Sequence, residues 1–120
     1  MFKLVRDNIP EIMAADGVHL NYAAAQDDDF FNTLLRAKLV DEVNAYLTAD
    51  EEIAFETLVD IKTVLDYLIG DQTEEFQQLY DQKLKEHGGY EKKFIGFFAP
   101  SAPVEPEQAD TETYPQTEIN

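Results

Sequence analysis

Cysteine and tryptophan are absent from this sequence, histidine occurs only twice, and nine lysines and arginines stand against 25 aspartates and glutamates. Without cysteine there is no disulfide and no thiolate metal site, and nothing argues for secretion. No apolar run approaches the ~20 residues that a membrane span needs, and the N-terminus has no signal-peptide core. The chain therefore reads as cytoplasmic. The shortage of bases leaves a net charge of −16, which repels nucleic-acid backbones and anionic membranes. Neither is an expected partner, and a polyanionic ligand needs a divalent cation or a local basic cluster. The bases are unevenly placed: Lys3, Arg6, Lys83, Lys85, Lys92 and Lys93 all lie outside residues 35–69. Internal repeats and Gly-rich phosphate loops are also missing.

What is present suffices for one domain with a core: 120 residues, organised around residues 35–69. Two helical patterns there read as a hairpin with Asp50 near the bend. In the first, Phe31, Leu35, Leu39 and Tyr46 form an apolar stripe. At about 100° per residue, Glu42 falls inside it. In the second, Ala54, Leu58, Ile61, Leu65 and Leu68 form the stripe, with Thr57 inside it and Asp60 on its edge. A carboxylate on a core-facing stripe is costly unless it is paired, hydrogen-bonded or bound to a metal.

Around the hairpin, Asn8-Ile9-Pro10 opens a brief helix that Gly17 stops. Asp27, Asp28 and Asp29 suit the N-terminus of the long helix, complementing its dipole. The long helix runs to about Leu47, and the second ends at Gly70. Asp71 with Glu74 resembles a capping box and starts a third long helix, with Phe76, Leu79, Tyr80 and Leu84 on its buried side and Gly88-Gly89 at its end. Tyr90 to Phe98 is an aromatic-rich extended segment expected to lie over the bundle. From Ala99 onward, four prolines, five acids and no base make a flexible acidic tail. The domain thus covers residues 1–98 and the tail 99–120.

Asp41, Glu42, Glu56 and Asp60 bracket the bend, so antiparallel packing brings Glu42 and Asp60 near each other. Two such carboxylates suit Mg²⁺, which completes its shell with water and phosphate oxygens. Solvated helix faces explain Asp41 and Glu56, which point away from the stripes. Glu42 suits both explanations equally, and Asp60 at the edge suits either. His19 and His87 are far apart, and neither sits in a metal-binding pair. Tyr46 and Tyr67 suit packing at the core rim, and Lys83 suits a helix C-terminus.

Four segments, in order, carry a resemblance. They are Lys3-Leu4-Val5-Arg6-Asp7-Asn8-Ile9-Pro10, Lys38-Leu39-Val40-Asp41-Glu42-Val43, Glu56-Thr57-Leu58-Val59-Asp60, and Lys83 to Lys92 with its Gly88-Gly89-Tyr90. Over about residues 2 to 95 the chain resembles the MazG-like, all-α nucleoside triphosphate pyrophosphohydrolases. The nearest branch is the small stand-alone proteins labelled phosphoribosyl-ATP-pyrophosphohydrolase-like. The resemblance implies an antiparallel helical bundle, dimeric or higher, that cleaves a nucleotide between its α and β phosphates with Mg²⁺. Mn²⁺ is the expected substitute metal.

The family pattern is EExxE on one helix and ExxD on the next. Glu42 and Asp60 match metal-binding, catalytic positions, and Lys3, Arg6, Lys83 and Lys92 are candidate phosphate contacts. Ala45 and Thr57 stand where two further carboxylates belong. Pairs spaced i,i+3 share a helix face, so the pattern converges four acids where this chain supplies two. The expected function is nucleotide pyrophosphohydrolysis or a weakened form of it. The alternative is a non-catalytic nucleotide-binding or protein-interaction module, and a third reading makes the tail an interaction segment. The apolar stripes exceed what one hairpin and one short helix can cover, so a homo-oligomer, in the first place a homodimer, is expected.

Overall fold

The computed structural model describes residues 2–98, and among these the protein is all-helical with no strand. The acidic tail expected from Ala99 lies outside the described residues. Four helices follow one another: α1 (Ile9–Ala15), α2 (Asp28–Thr48), α3 (Glu51–Ile69) and α4 (Thr73–His87). The chain divides into two compact units, one ending at Gln78 and one beginning at Leu79. None of the helices is long and apolar enough to cross a membrane.

Local chemistry sets the boundaries in the first unit. Pro10 sits in the first turn of α1, where its missing N–H costs nothing. Gly17 has φ 81°, a region that a Cβ disfavours. There the Gly17 N–H donates to the Ala14 carbonyl and the Val18 N–H to Met13, the two bonds that close a Schellman motif. Asp27 caps α2, its side chain accepting from the Phe30 N–H at 2.7 Å. Ala49 is extended and stops α2, and Asp50 then caps α3 by accepting from the Ile53 N–H at 3.1 Å. Both aspartates also place negative charge at the positive end of a helix dipole. Gly70 ends α3 with φ 65°, and its N–H returns to the Asp66 carbonyl.

The two long helices pack against each other. Leu35 of α2 and Thr57 and Val64 of α3 are the buried side chains among the described residues. Phe31, Leu39 and Glu42 on α2, and Ala54, Ile61 and Leu68 on α3, are partly covered around them. On α2 the expected stripe is the observed one, except that Tyr46 is exposed. On α3 the covered side is turned toward Thr57 and Val64, leaving Leu58 and Leu65 exposed at 43% and 41%. That turn brings Asp60 closer to the covered side than the sequence pattern placed it.

Two expectations for α4 are corrected. It starts at Thr73, not Asp71, with the Phe76 N–H bonded to the Gln72 carbonyl. Phe76, Leu79, Tyr80 and Leu84 do share a face, but all four are exposed. Spacing specifies a face and not what covers it. The Gly88 N–H bonds the Leu84 carbonyl and α4 ends at His87. Beyond it, Lys93 closes a turn onto the Tyr90 carbonyl, and Phe94, Phe97 and Phe98 are exposed without regular structure.

The caps lend themselves to a direct comparison. Asp27 and Asp50 each bond a backbone N–H, whereas Asn8 before α1 makes no side-chain cap bond. Asp50→Ala is expected to lower unfolding stability by about 1 kcal/mol, and Asn8→Ala by much less. Urea unfolding followed by circular dichroism measures both; equal losses would contradict the cap assignment.

Candidate functional site

The carboxylates singled out by pattern are met by cations from within the chain. Lys38 Nζ lies 3.4 Å from Glu42 Oε2, one turn apart on α2, with Glu42 only 16% exposed. This pairing answers the cost of a carboxylate on the packed stripe. Arg6 Nη2 lies 2.6 Å from Asp60 Oδ1 and 3.3 Å from the Thr63 hydroxyl, on α3. Lys3 Nζ lies 3.7 Å from Asp41 Oδ2 on α2. Residues 2–6 therefore reach both long helices, and Phe2 adds an edge-to-face contact with Phe30 at 6.1 Å. Between this segment and α2 lies a cleft of about 340 Å³, lined by Phe2, Leu4, Leu34 and Ala37 with Lys3, Lys38 and Asp41.

The ion pairs differ in kind. Arg6 and Asp60 have side chains 55% and 41% exposed, so solvent and salt screen their attraction. Lys38 and Glu42, at 31% and 16%, are more sheltered. Lys precedes Glu in that pair, the less favourable order along a helix, so shelter rather than dipole alignment supports it.

At the two positions where the sequence pattern lacks carboxylates, the surroundings diverge. Thr57 is buried, and its hydroxyl donates to the Ile53 carbonyl at 2.9 Å, leaving no open polar group. Ala45 is exposed. Among the described residues, no group of three or more acidic, histidine or cysteine side chains gathers as a metal cage. Glu42 and Asp60 are instead each paired with a cation of the chain, Lys38 and Arg6 respectively.

The remaining candidates lie apart from these pairs in sequence and are placed as follows. Lys83 is on α4 within the unit that begins at Leu79. Lys92, in the same unit, sits over the Phe94 ring at 5.8 Å, a cation–π distance. His19 meets the Asn21 side chain at 3.1 Å, and His87 ends α4. Sequence reasoning gave Lys38 no role, although its i,i+4 spacing from Glu42 was the available signal. It also left Asp41 solvated, and no local pattern announces the long-range partner Lys3. No family model, curated protein or solved structure matches the chain.

If Lys38 neutralises Glu42, removing one partner should harm more than removing both. Lys38→Met keeps the apolar stem and strands the sheltered carboxylate, with an expected loss of about 1 kcal/mol. Adding Glu42→Gln should recover most of it. Urea midpoints of the single and double variants decide, and a double variant no better than Lys38→Met would remove the pair from the account.

Proposed function

We propose that this chain is a nucleotide pyrophosphohydrolase of the MazG-like kind, hydrolysing the bond between the α and β phosphates. The single observation that carries this is that Glu42 and Asp60, on the two packed helices, are each ion-paired with a cation of the chain. A partly covered glutamate on α2 and a half-exposed aspartate on α3 stand on the two packed helices, paired with Lys38 and Arg6, while Lys3 pairs with the neighbouring Asp41. Acids suit a divalent cation and the neighbouring bases suit phosphate oxygens, which is the charge pattern a metal–polyphosphate ligand presents.

In this reading Glu42 and Asp60 hold Mg²⁺, or Mn²⁺ in its place. When bound, the cation neutralises phosphate charge and polarises the phosphoryl oxygens. Lys3 and Arg6 supply donors to those oxygens once released from their acids. Thr57 stays a packing residue, since its hydroxyl is already committed to Ile53.

A second reading, a nucleotide-binding or protein-interaction module without catalysis, is favoured by the methyl of Ala45 and the committed hydroxyl of Thr57. Incubating a panel of nucleoside triphosphates with Mg²⁺ and measuring pyrophosphate release separates the two. Release that falls at least about ten-fold in Asp60→Asn supports the hydrolase. Nucleotide binding without release supports the module.

The protein acts, on the same proposal, as a homodimer of antiparallel bundles. Val40 and Leu47 on α2, and Phe55 and Val59 on α3, are 58% to 73% exposed, an outer apolar surface too extensive for a small helical chain to leave in water. Sedimentation velocity is expected to give a dimer mass at micromolar concentration, and Phe55→Glu to shift it toward the monomer. A monomer throughout would defeat the proposal.

A further inference from the structure

Residues 2–6 have neither helix nor strand, and side chains tie them down at both ends. The Phe2 ring meets Phe30 at 6.1 Å and Lys3 Nζ lies 3.7 Å from Asp41 Oδ2, both on α2. Arg6 Nη2 lies 2.6 Å from Asp60 Oδ1 and 3.3 Å from the Thr63 hydroxyl, both on α3. The segment thus spans the two packed helices. Phe2 and Leu4 form one wall of the cleft beside it, and Leu34 and Ala37 of α2 form the other.

Neither ion pair fastens the segment alone. The four side chains are 41% to 61% exposed, so water and salt screen both pairs. Together they differ from two separate surface pairs, because the packing of α2 on α3 holds the two acids fixed relative to each other. With Lys3 seated, Arg6 is tethered through Leu4 and Val5 alone, and its effective concentration at Asp60 is that of a short tether, roughly millimolar. Each pair therefore favours closure of the other. Lys38–Glu42 and Lys62–Asp66 each lie within one helix, so screening them moves no segment.

We propose that residues 2–6 form an ionic strap that closes and opens as one unit, its two pairs released together by rising salt so that the cleft against α2 opens. The screening length falls from about 10 Å at 0.1 M salt to about 3 Å at 1 M, comparable with the separations inside the two pairs. Salt thus weakens both ends at once, and loss of either lowers the hold of the other by the same factor in each direction. The Phe2–Phe30 contact does not replace them, since Phe2 is 77% exposed and touches α2 without reaching α3.

The test uses the full chain. Because the sequence has no cysteine, Val5→Cys carries a unique nitroxide between the two pairs, at a site 45% exposed. Its mobility is read from about 0.05 to about 1 M NaCl, alone and with Asp41→Asn, Asp60→Asn or Asp66→Asn added. Asp66 pairs with Lys62 inside α3 at 3.1 Å and serves as the charge-matched control. At low salt, Asp41→Asn and Asp60→Asn are each expected to raise the ratio of mobile to immobile label about two- to five-fold, and Asp66→Asn to leave it unchanged. Salt should raise the ratio in the labelled parent, and the chain carrying both Asp41→Asn and Asp60→Asn should be mobile at every salt concentration. Coupling between the ends is read at Arg6. Arg6 and Arg36 are the arginines of the sequence, so Arg6→Lys identifies the Arg6 Nε–H signal in heteronuclear NMR. In unlabelled Asp41→Asn that signal should move toward its position in Asp60→Asn. An Arg6 signal indifferent to Asp41→Asn makes the two pairs independent and overturns the strap. A label that ignores salt, or that responds equally to Asp66→Asn, overturns it as well. Helix content by circular dichroism should stay constant throughout, and loosening that comes with helix loss is general unfolding and defeats the proposal.

Discussion

The contact of α2 with α3 around Leu35, Thr57 and Val64 is the interaction on which the first unit depends. Most of a helix's stability in a protein comes from tertiary packing, and α1, with seven residues, is far below what can persist alone. Burying Leu35 or Val64 is worth roughly 1.5–3 kcal/mol each, which no single cap or surface ion pair matches. Thr57 can share that centre because its hydroxyl is satisfied within its own helix. A threonine with an open hydroxyl there would cost about 1–3 kcal/mol instead.

Charge is the second constraint, and it follows from the first. An acid-rich chain that folds α2 onto α3 brings carboxylates to the packed side and its rim, where they need counter-ions. The chain supplies them from two distances: Lys38 from one turn away and Lys3 and Arg6 from the N-terminal segment. The local partner neutralises an acid without tying elements together. The distant partners neutralise and fasten at once, so the N-terminal segment owes its position to Asp41 and Asp60.

The outer surface points the same way as the charge. Phe55, Leu58 and Val59 line one side of α3 with the Lys62 stem and Thr63, away from Thr57 and Val64. Apolar side chains on both sides of one helix are characteristic of a helix buried between neighbours rather than one at a monomer surface. Among the described residues, Leu35, Thr57 and Val64 are the buried side chains.

Sequence alone determined the helices and most of their ends, because these are local. Gly17, Gly70 and Gly88 stop helices through backbone freedom, and Asp27 and Asp50 start them through short side chains that reach the next backbone N–H. It also marked Glu42 as a carboxylate on the packed stripe, since 3.6-residue periodicity fixes angular position. Which side of α3 is covered was not legible: Leu58 and Leu65 fit the period as well as Thr57 and Val64 do. Packing against α2 chose between them. Nor could periodicity show that the apolar face of α4 is exposed, because a face is set by spacing and its covering by the rest of the assembly. The partners of Asp41 and Asp60 lie 38 and 54 residues away in the chain, and no local pattern encodes such a distance. Only tertiary structure decided that the N-terminal cations answer the hairpin acids, since that pairing exists solely once the helices hold those acids in place.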